Sequence, residues 1–382
     1  MGGIVIRTIY TRFVFSLIGM VCLPIALLLL DAAGAGAAGT ALTSSFAWTS
    51  IGPQPMTNEA TILGGSPLSY ATGRVTSVAV GTTAQGTPIV VGTAAGGVWV
   101  STNGAQTFSS FTDSLPQSGG TPIYGPGQAI GAVAVDPTST PTTVYAATGE
   151  GNQSGDSYYG IGIFKSTDLG KTIDWLLYPG VSLTSGGTFG HPSFTRIVVV
   201  PQGTGKSPYL YAAAVAQGVS GNRAGAGYTE STTTDRGLFE STDGGVTWSR
   251  TSSFPGANAC NPYCDVDDVA VDPNSPNFVY AAIDQVGVFY STDSGATWTA
   301  VCSQSKNPQC GSIVGRISLA TETGASGAGT VYAIYASPTG QNNDTYVGLY
   351  ESTNFGVTWT QRTVPSQQII GPPSCYICRW RY

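Results

Sequence analysis

The densest group of residues able to do chemistry is Asp265-Val266-Asp267-Asp268, in a chain where only 9% of residues are charged. Alternation along an extended segment would turn Asp265 and Asp267 to one side. Two carboxylates so placed could hold calcium or work as an acid/base pair. The patch offers no third ligand, so no metal or other cofactor is assigned. His191 is the one histidine among 382 residues, which excludes multi-histidine metal sites and leaves a Ser-His-Asp triad with a single base. No Gly-x-Ser-x-Gly accompanies it, and it reads as a polar loop residue. Gly203-Thr204-Gly205-Lys206-Ser207 imitates half of a phosphate-binding loop, but Val200 stands where the earlier glycine belongs and a strand follows it. Carboxylates and tyrosines are what remain for hydrolytic chemistry.

The first residues read as an address. Arg7 and Arg12 precede an apolar run from Phe13 to Leu30 and a small-residue stretch, Ala32–Ala38. This is the pattern of a secretory signal peptide over residues 1–38. A retained anchor is the alternative, since the run is just long enough to span a bilayer. Attachment of a lipid at Cys22 is disfavoured by the bulky Met20-Val21 before it. Export suits disulfides, and Cys260/Cys264 and Cys302/Cys310 are spaced as two local staples. Cys375 and Cys378 form a Cys-x-x-Cys that could also be a redox or zinc half-site. A net charge of −6 without any basic run excludes a nucleic-acid surface.

The elements that must position these residues are strands. Gly 52 and Pro 23 beside 41% hydrophobic residues argue for short strands joined by tight turns, against helical bundles and against disorder. A motif repeats: Gly97-Val98-Trp99-Val100-Ser101-Thr102-Asn103-Gly104, Gly162 to Asp168, Gly237 to Trp248, Gly287 to Trp298 and Gly348 to Trp359. Upstream of each copy lies one apolar run, such as Val144–Ala147 or Val279–Ala282, and before it another, such as Val133–Val135 or Val269–Val271. With the residues after each motif as a fourth strand, the unit is a four-stranded blade, and units repeated at this period predict an all-β propeller. Residues 39–365 are assigned to it and 366–382 to an irregular Cys-containing tail.

The motif Ser-x-Asp-x-Gly-x-Thr-Trp resembles the BNR repeat, or Asp-box, of the sialidase, sortilin and bacterial BNR-repeat propellers. The resemblance covers roughly Ala47 to Pro365. Asn replaces Asp at Asn103 and Asn354, Phe108 replaces the first Trp, and the second copy has an insertion before Trp175. Asn103, Asp168, Asp243, Asp293 and Asn354 are expected to build turns: the Asx oxygen accepts backbone N–H groups and glycine supplies positive φ. Such propellers usually have six or more blades, whereas five are counted here, so a truncated ring stays open. Trp48-Thr49-Ser50-Ile51-Gly52-Pro53 resembles a fourth strand and could complete the last blade.

Loops joining strands two to three and four to one share one face, opposite the repeated hairpins. Several are long, and long loops on a rigid scaffold commonly carry function. Arg74, Arg196 and Arg316 lie at or near the starts of first strands on that face. The sialidase resemblance implies an arginine cluster clamping a carboxylate, with a tyrosine nucleophile. Tyr158, Tyr159, Tyr228 and Tyr346, with Glu150, Asp156, Glu230 and Asp344 close in sequence, are its candidates. No Arg-Ile-Pro motif occurs, and Arg196 is out of register with Arg74. The expected role is an exported binding module for a glycan or an extracellular or envelope protein, without nucleic acid and without a membrane span after cleavage. A sialidase-like or other glycoside hydrolase on the same face is the alternative, and a fragment with neither role the third reading.

Overall fold

The computed structural model describes residues 74–83, 86–94, 96–112, 128–151, 160–169, 176–177, 192–203, 205–216, 236–251, 254–255, 263–301, 315–322, 329–337 and 346–363. The segment read as a signal peptide, Trp48–Pro53, His191, Tyr158, Tyr159, Tyr228, Asp156, Glu230 and Asp344 lie outside them. Of the cysteines, Cys264 alone is described; Cys22, Cys260, Cys302, Cys310, Cys375 and Cys378 lie outside.

Twenty strands form five antiparallel sheets of four, each in simple up-and-down order. The first blade holds β1 (Val75–Val80), β2 (Ile89–Thr93), β3 (Val98–Ser101) and β4 (Ser109–Ser110). The second holds β5 (Ile130–Asp136), β6 (Thr143–Thr148), β7 (Ile163–Ser166) and β8 (Leu176–Leu177). The third holds β9 (Ser193–Val200), β10 (Tyr209–Val215), β11 (Gly237–Ser241) and β12 (Ser249–Arg250). The fourth holds β13 (Val266–Val271), β14 (Val279–Ile283), β15 (Gly287–Ser291) and β16 (Thr299–Ala300). The fifth holds β17 (Ile317–Glu322), β18 (Thr330–Ala336), β19 (Tyr346–Ser352) and β20 (Thr360–Arg362). The fifth blade therefore takes its fourth strand from the residues that directly follow its own hairpin, and Trp48–Pro53 is not needed there.

First strands line the inside: β1 packs on β5, β5 on β9, β9 on β13 and β13 on β17. The arc formed by these sheets is not closed among the described residues. Both faces of an inner blade are apolar, so the core is divided into four layers between successive blades. The third strands of blades two to five each send an aromatic ring back into the preceding blade: Phe164, Phe239, Phe289 and Tyr350, all buried. Trp248, Trp298 and Trp359 join the same layers. Rings of this size remove roughly 150–250 Å² each from water, which makes them the largest single contributors to blade stacking.

The repeated motif closes the hairpin between strands three and four by one hydrogen-bond scheme. The Ser hydroxyl donates to the Asx Oδ1 in all five copies, from 2.7 Å at Ser291–Asp293 to 3.0 Å at Ser352–Asn354. In four of the copies the same oxygen accepts the Thr amide four residues on, as at Thr297 (2.8 Å) and Thr358 (2.9 Å). Asp and Asn then diverge in proton direction. Thr247 and Thr297 donate their hydroxyls to the Asp carboxylate, whereas Asn103 and Asn354 donate Nδ2 to the hydroxyls of Thr107 and Thr358. The residue after the Asx is left-handed in all five copies, and in four of them the next one is too, as at Gly244 (φ 74) and Gly245 (φ 90). In three copies the first of them is Leu169, Ser294 or Phe355, so the side-chain scheme holds a conformation that such residues disfavour.

Blades are also joined by polar stitches. Near the start of the first strand, blades one to four carry a one-residue bulge, at Thr76, Gly131, Thr195 and Asp267. The bulged residue meets the next inner strand: Thr76 donates to Ile130 O, Thr195 donates to Val266 O (3.0 Å), and Asp267 accepts from Ile317 N (3.0 Å). Gly131 needs no side chain to do so, because a Cβ there would lie 1.9 Å from Phe194 O and 2.3 Å from Gly149 O. At the opposite end, second-strand tyrosines reach the next hairpin, with Tyr145 donating to Gly244 O (3.2 Å) and Tyr211 to Ser294 O (3.1 Å).

Two outcomes are expected by thermal unfolding. Asp243→Ala removes the acceptor of the Val246 and Thr247 amides and of the Ser241 and Thr247 hydroxyls, and should cost about 1–3 kcal/mol, whereas Asp243→Asn keeps the scheme of Asn103 and Asn354 and should stay within about 1 kcal/mol of the parent. Gly131→Ala should destabilise more than Asp243→Ala, because two backbone carbonyls would have to move.

Candidate functional site

First-strand starts and second-strand ends meet at one edge of the blades, and that edge carries most of the ionised groups picked out by sequence. Arg74, directly before β1, donates from Nη2 to Glu150 Oε2 at 2.6 Å, with Glu150 buried just after β6. Arg196, inside β9, pairs through Nε with Asp268 Oδ1 at 2.9 Å. Arg316, directly before β17, donates from Nη2 to the carbonyl of Gly151 at 2.7 Å, which links the fifth blade to the second. Each of the three arginines thus has an internal acceptor. Tyr346 starts β19, half-buried, with no hydrogen bond to these arginines among the described residues.

The acidic patch is divided by the bulge in β13. Regular alternation would have set Asp267 and Asp268 on opposite faces, yet both are buried and both accept backbone amides of the next blade, Ile317 N (3.0 Å) and Leu319 N (2.9 Å). Asp265 precedes the strand and is saturated differently: Oδ1 accepts Ala216 N at 2.6 Å and Oδ2 accepts Arg236 Nη1 at 2.8 Å. Asp284, in the short turn after β14, stands beside this group, and its amide donates to Asp265 O at 3.0 Å. Among the described residues no group of three or more His, Cys, Asp or Glu side chains is arranged to hold a metal ion.

Of the two staples expected from sequence, Cys260/Cys264 and Cys302/Cys310, the structure describes one sulfur. Cys264, next to the acidic patch, is disulfide-bonded, and its partner lies outside the described residues. Cys260, Cys302 and Cys310 also lie outside them, so the pairing of Cys302 with Cys310 stays a reading of their spacing alone.

Electrostatics set the carboxyls of this edge apart from ordinary surface acids. Burial pushes Asp267 well above the usual carboxylate range; Asp284 adds to this, and Arg316 and the Ile317 amide oppose it. Burial also raises Asp268, against the pull of Arg196, and raises Asp284, with Asp265 adding to the effect. The edge therefore combines an arginine-paired carboxylate, Asp265, with carboxyls biased toward keeping a proton beside Arg316.

Asp284, Arg236 and the Gly151 carbonyl escaped the sequence reading. Asp284 was legible only as part of a short turn, Arg236 as the end of a long loop, and a backbone acceptor has no sequence signature. The Asx residues of the hairpins stand at the other end of the blades. Hydrogen bonds from Thr297 hold Asp293 below the usual range, and those from Thr247, Ser241 and Val246 do the same for Asp243 against its partial burial.

No protein-family model matches the chain, and no curated protein matches it. Solved structures do. The chain is similar to a GH74 xyloglucanase from Xanthomonas campestris, with 20% identity and a TM-score of 0.51, covering 78% of this chain and 39% of that one. A GH74 enzyme from Niastella koreensis matches with 21% identity and a TM-score of 0.49 over 76% of this chain and 37% of that one. Aleuria aurantia lectin in complex with alpha-methyl-L-fucoside matches at 10% identity and a TM-score of 0.40, over 77% of this chain and 79% of that one. The chain spans under two-fifths of either GH74 protein. The likeness to the Xanthomonas xyloglucanase, with the five four-stranded sheets, defines the class: a β-propeller.

The raised carboxyl of Asp267 has a consequence for stability. The folded state holds its proton more tightly than the unfolded chain, so its contribution is complete below about pH 4 and is lost as pH rises through the folded pKa. Asp267→Asn keeps an acceptor for Ile317 N without that titration. The difference in melting temperature, Asn minus parent, should rise from about pH 4 to about pH 8; a pH-independent difference would contradict the assignment.

Proposed function

We propose that this protein is an exported Asp-box β-propeller that works as a binding module, engaging a glycan or an extracellular or envelope protein through the edge of the blades that carries Arg74, Arg316 and Asp265. The observation behind this reading is that the arginines of that edge are already met from within, by Glu150, Asp268, the Gly151 carbonyl and Asp265. Guanidinium groups so engaged stiffen the platform under the two–three and four–one loops. A carboxylate clamp would instead need them aimed at a ligand. Rigid scaffolds that present loops of varied length are suited to recognition, and such a role needs no catalytic residue. The likeness to the xyloglucanase carries the fold alone.

One observation favours the second reading, a glycoside hydrolase on the same edge. Such enzymes pair a carboxylic acid that keeps its proton with a carboxylate that does not. Asp284, raised by burial, keeps its proton more readily than an exposed acid, and a second carboxyl, Asp265, stands beside it, paired with Arg236.

The two separate in one experiment. The purified chain is assayed against a fluorogenic glycoside panel that includes a sialoside, and in parallel on a glycan array and against extracellular proteins of its source. The binding reading expects a saturable ligand without turnover, weakened at least about 10-fold by Arg316→Ala. Turnover abolished by Asp284→Asn would overturn it in favour of the hydrolase.

A further inference from the structure

The seams between successive blades are alike in shape and unlike in charge. In blades two to four the second-strand tyrosine is paired in register with a third-strand residue that lies against the next hairpin: Tyr145 with Lys165, Tyr211 with Glu240 and Tyr280 with Tyr290. Lys165 donates from Nζ to Gly244 O at 3.0 Å and is drawn toward Asp243 of that hairpin. Tyr290 lies beside Gly356, in the hairpin whose Asx is the uncharged Asn354. Of the three, only Glu240 sets an acid against an acidic hairpin, that of Asp293.

The Glu240 carboxyl rests on the backbone of blade four. A Cβ added at Gly295 would lie 2.7 Å from Glu240 Oε1 and 3.3 Å from Oε2, so a glycine is what lets the blades approach this closely. Oε1 accepts the Thr251 hydroxyl at 2.8 Å, and the neighbouring Tyr211 hydroxyl donates to Ser294 O at 3.1 Å. The titratable groups facing Glu240 are Tyr211 of its own blade, with Tyr209 beside it, and Asp293 of the next blade. Among the described residues no lysine or arginine pairs with Glu240. Hydrogen bonds from Thr297 and Ser291 keep Asp293 below the usual carboxylate range, so the acid that yields is Glu240. Burial pushes Glu240 up to about 7, with the Thr251 hydroxyl opposing and Asp293 adding to the effect. The other end of the same seam is pinned: Thr195 donates to Val266 O at 3.0 Å, and Arg196 pairs with Asp268 at 2.9 Å.

We propose that the seam between blades three and four is a pH-operated hinge: with Glu240 protonated the Asp293 hairpin closes on blade three, and with Glu240 ionised the two like charges part it while the loop end stays pinned. The tie released is the one from Tyr211 to Ser294 O. Blade four, which carries Asp265 and Asp284 at its far edge, thereby packs according to pH. Glu240 stabilises the folded chain fully below about pH 4, and this contribution is lost as pH rises through about 7.

The test follows hydrogen exchange over residues 292–300 of the purified chain, parent against Glu240→Gln at equal pH, so that the intrinsic pH dependence of exchange cancels. The fifth-blade hairpin, residues 353–360, is the internal control, since it faces Tyr290. The two proteins should exchange alike at about pH 5. At about pH 8 the parent should exchange at least about 5-fold faster over 292–300, with no difference over 353–360. Asp293→Asn keeps the hairpin scheme of Asn103 and Asn354 and removes the facing charge, so it too should lose the excess at about pH 8. It serves by itself if Glu240→Gln does not fold. Four results would overturn the proposal. Parent and Glu240→Gln exchanging alike at about pH 8 means that ionisation opens nothing. A Gln variant already faster at about pH 5 means that the carboxyl is a packing element. An excess shared by residues 353–360 means a general loosening in place of a hinge. A parent-like excess in Asp293→Asn means that the like charge does not drive the opening.

Discussion

Everything in this protein depends on one constraint: a four-stranded blade with two apolar faces is not stable alone and must bury both against neighbours. The core is accordingly a series of layers between sheets, each filled by a third-strand aromatic and, in three of the four layers, by a fourth-strand tryptophan from the following blade. Apolar packing sets the distance between sheets but fixes their relative slide only loosely, because it is not directional. The polar stitches supply that direction. Bulge residues tie inner strands at one end of the blade, second-strand tyrosines tie hairpins at the other, and a blade held at both ends keeps one orientation.

The two ends of a blade use polar chemistry differently. At the hairpin end, the side chains of Asn103, Asp243, Asp293 and Asn354 satisfy backbone donors in their own turns, and the scheme accepts Asp or Asn because the neighbouring threonine can reverse the direction of its hydroxyl proton. At the loop end, side chains act between blades, so arginines and carboxylates appear in pairs drawn from different blades: Arg74 with Glu150, Arg196 with Asp268. Arg236 with Asp265 extends the scheme to a loop of the third blade. Acids at this end lose water without always gaining a full counter-charge, which is why Asp267, Asp268 and Asp284 all hold their protons more tightly than exposed carboxyls.

The bulge in β13 illustrates how a local backbone feature decides chemistry. Without it Asp267 and Asp268 would point to opposite faces, and one of them would lie in an apolar layer. With it both reach the edge of the next inner strand and satisfy its amides. The same device places a hydroxyl at Thr76 and Thr195 and no side chain at Gly131, so one backbone geometry serves four different residues by changing only what bridges the gap.

The sequence by itself determined the blades. Strand order, the five hairpins and the structural role of Asn103, Asp168, Asp243, Asp293 and Asn354 follow from short-range pattern, because a turn and its strands are built from residues close in the chain. It also put the arginines and acids at one edge, since that depends only on where strands start and end. Their partners were decided by tertiary structure alone. Arg74 meets Glu150, Arg196 meets Asp268 and Arg316 meets the Gly151 carbonyl across separations of 76, 72 and 165 residues, distances over which no spacing rule acts. The bulge at Asp267 was hidden for a related reason: it arises where one strand must accommodate the next blade, and a single strand's alternation holds no record of its neighbour.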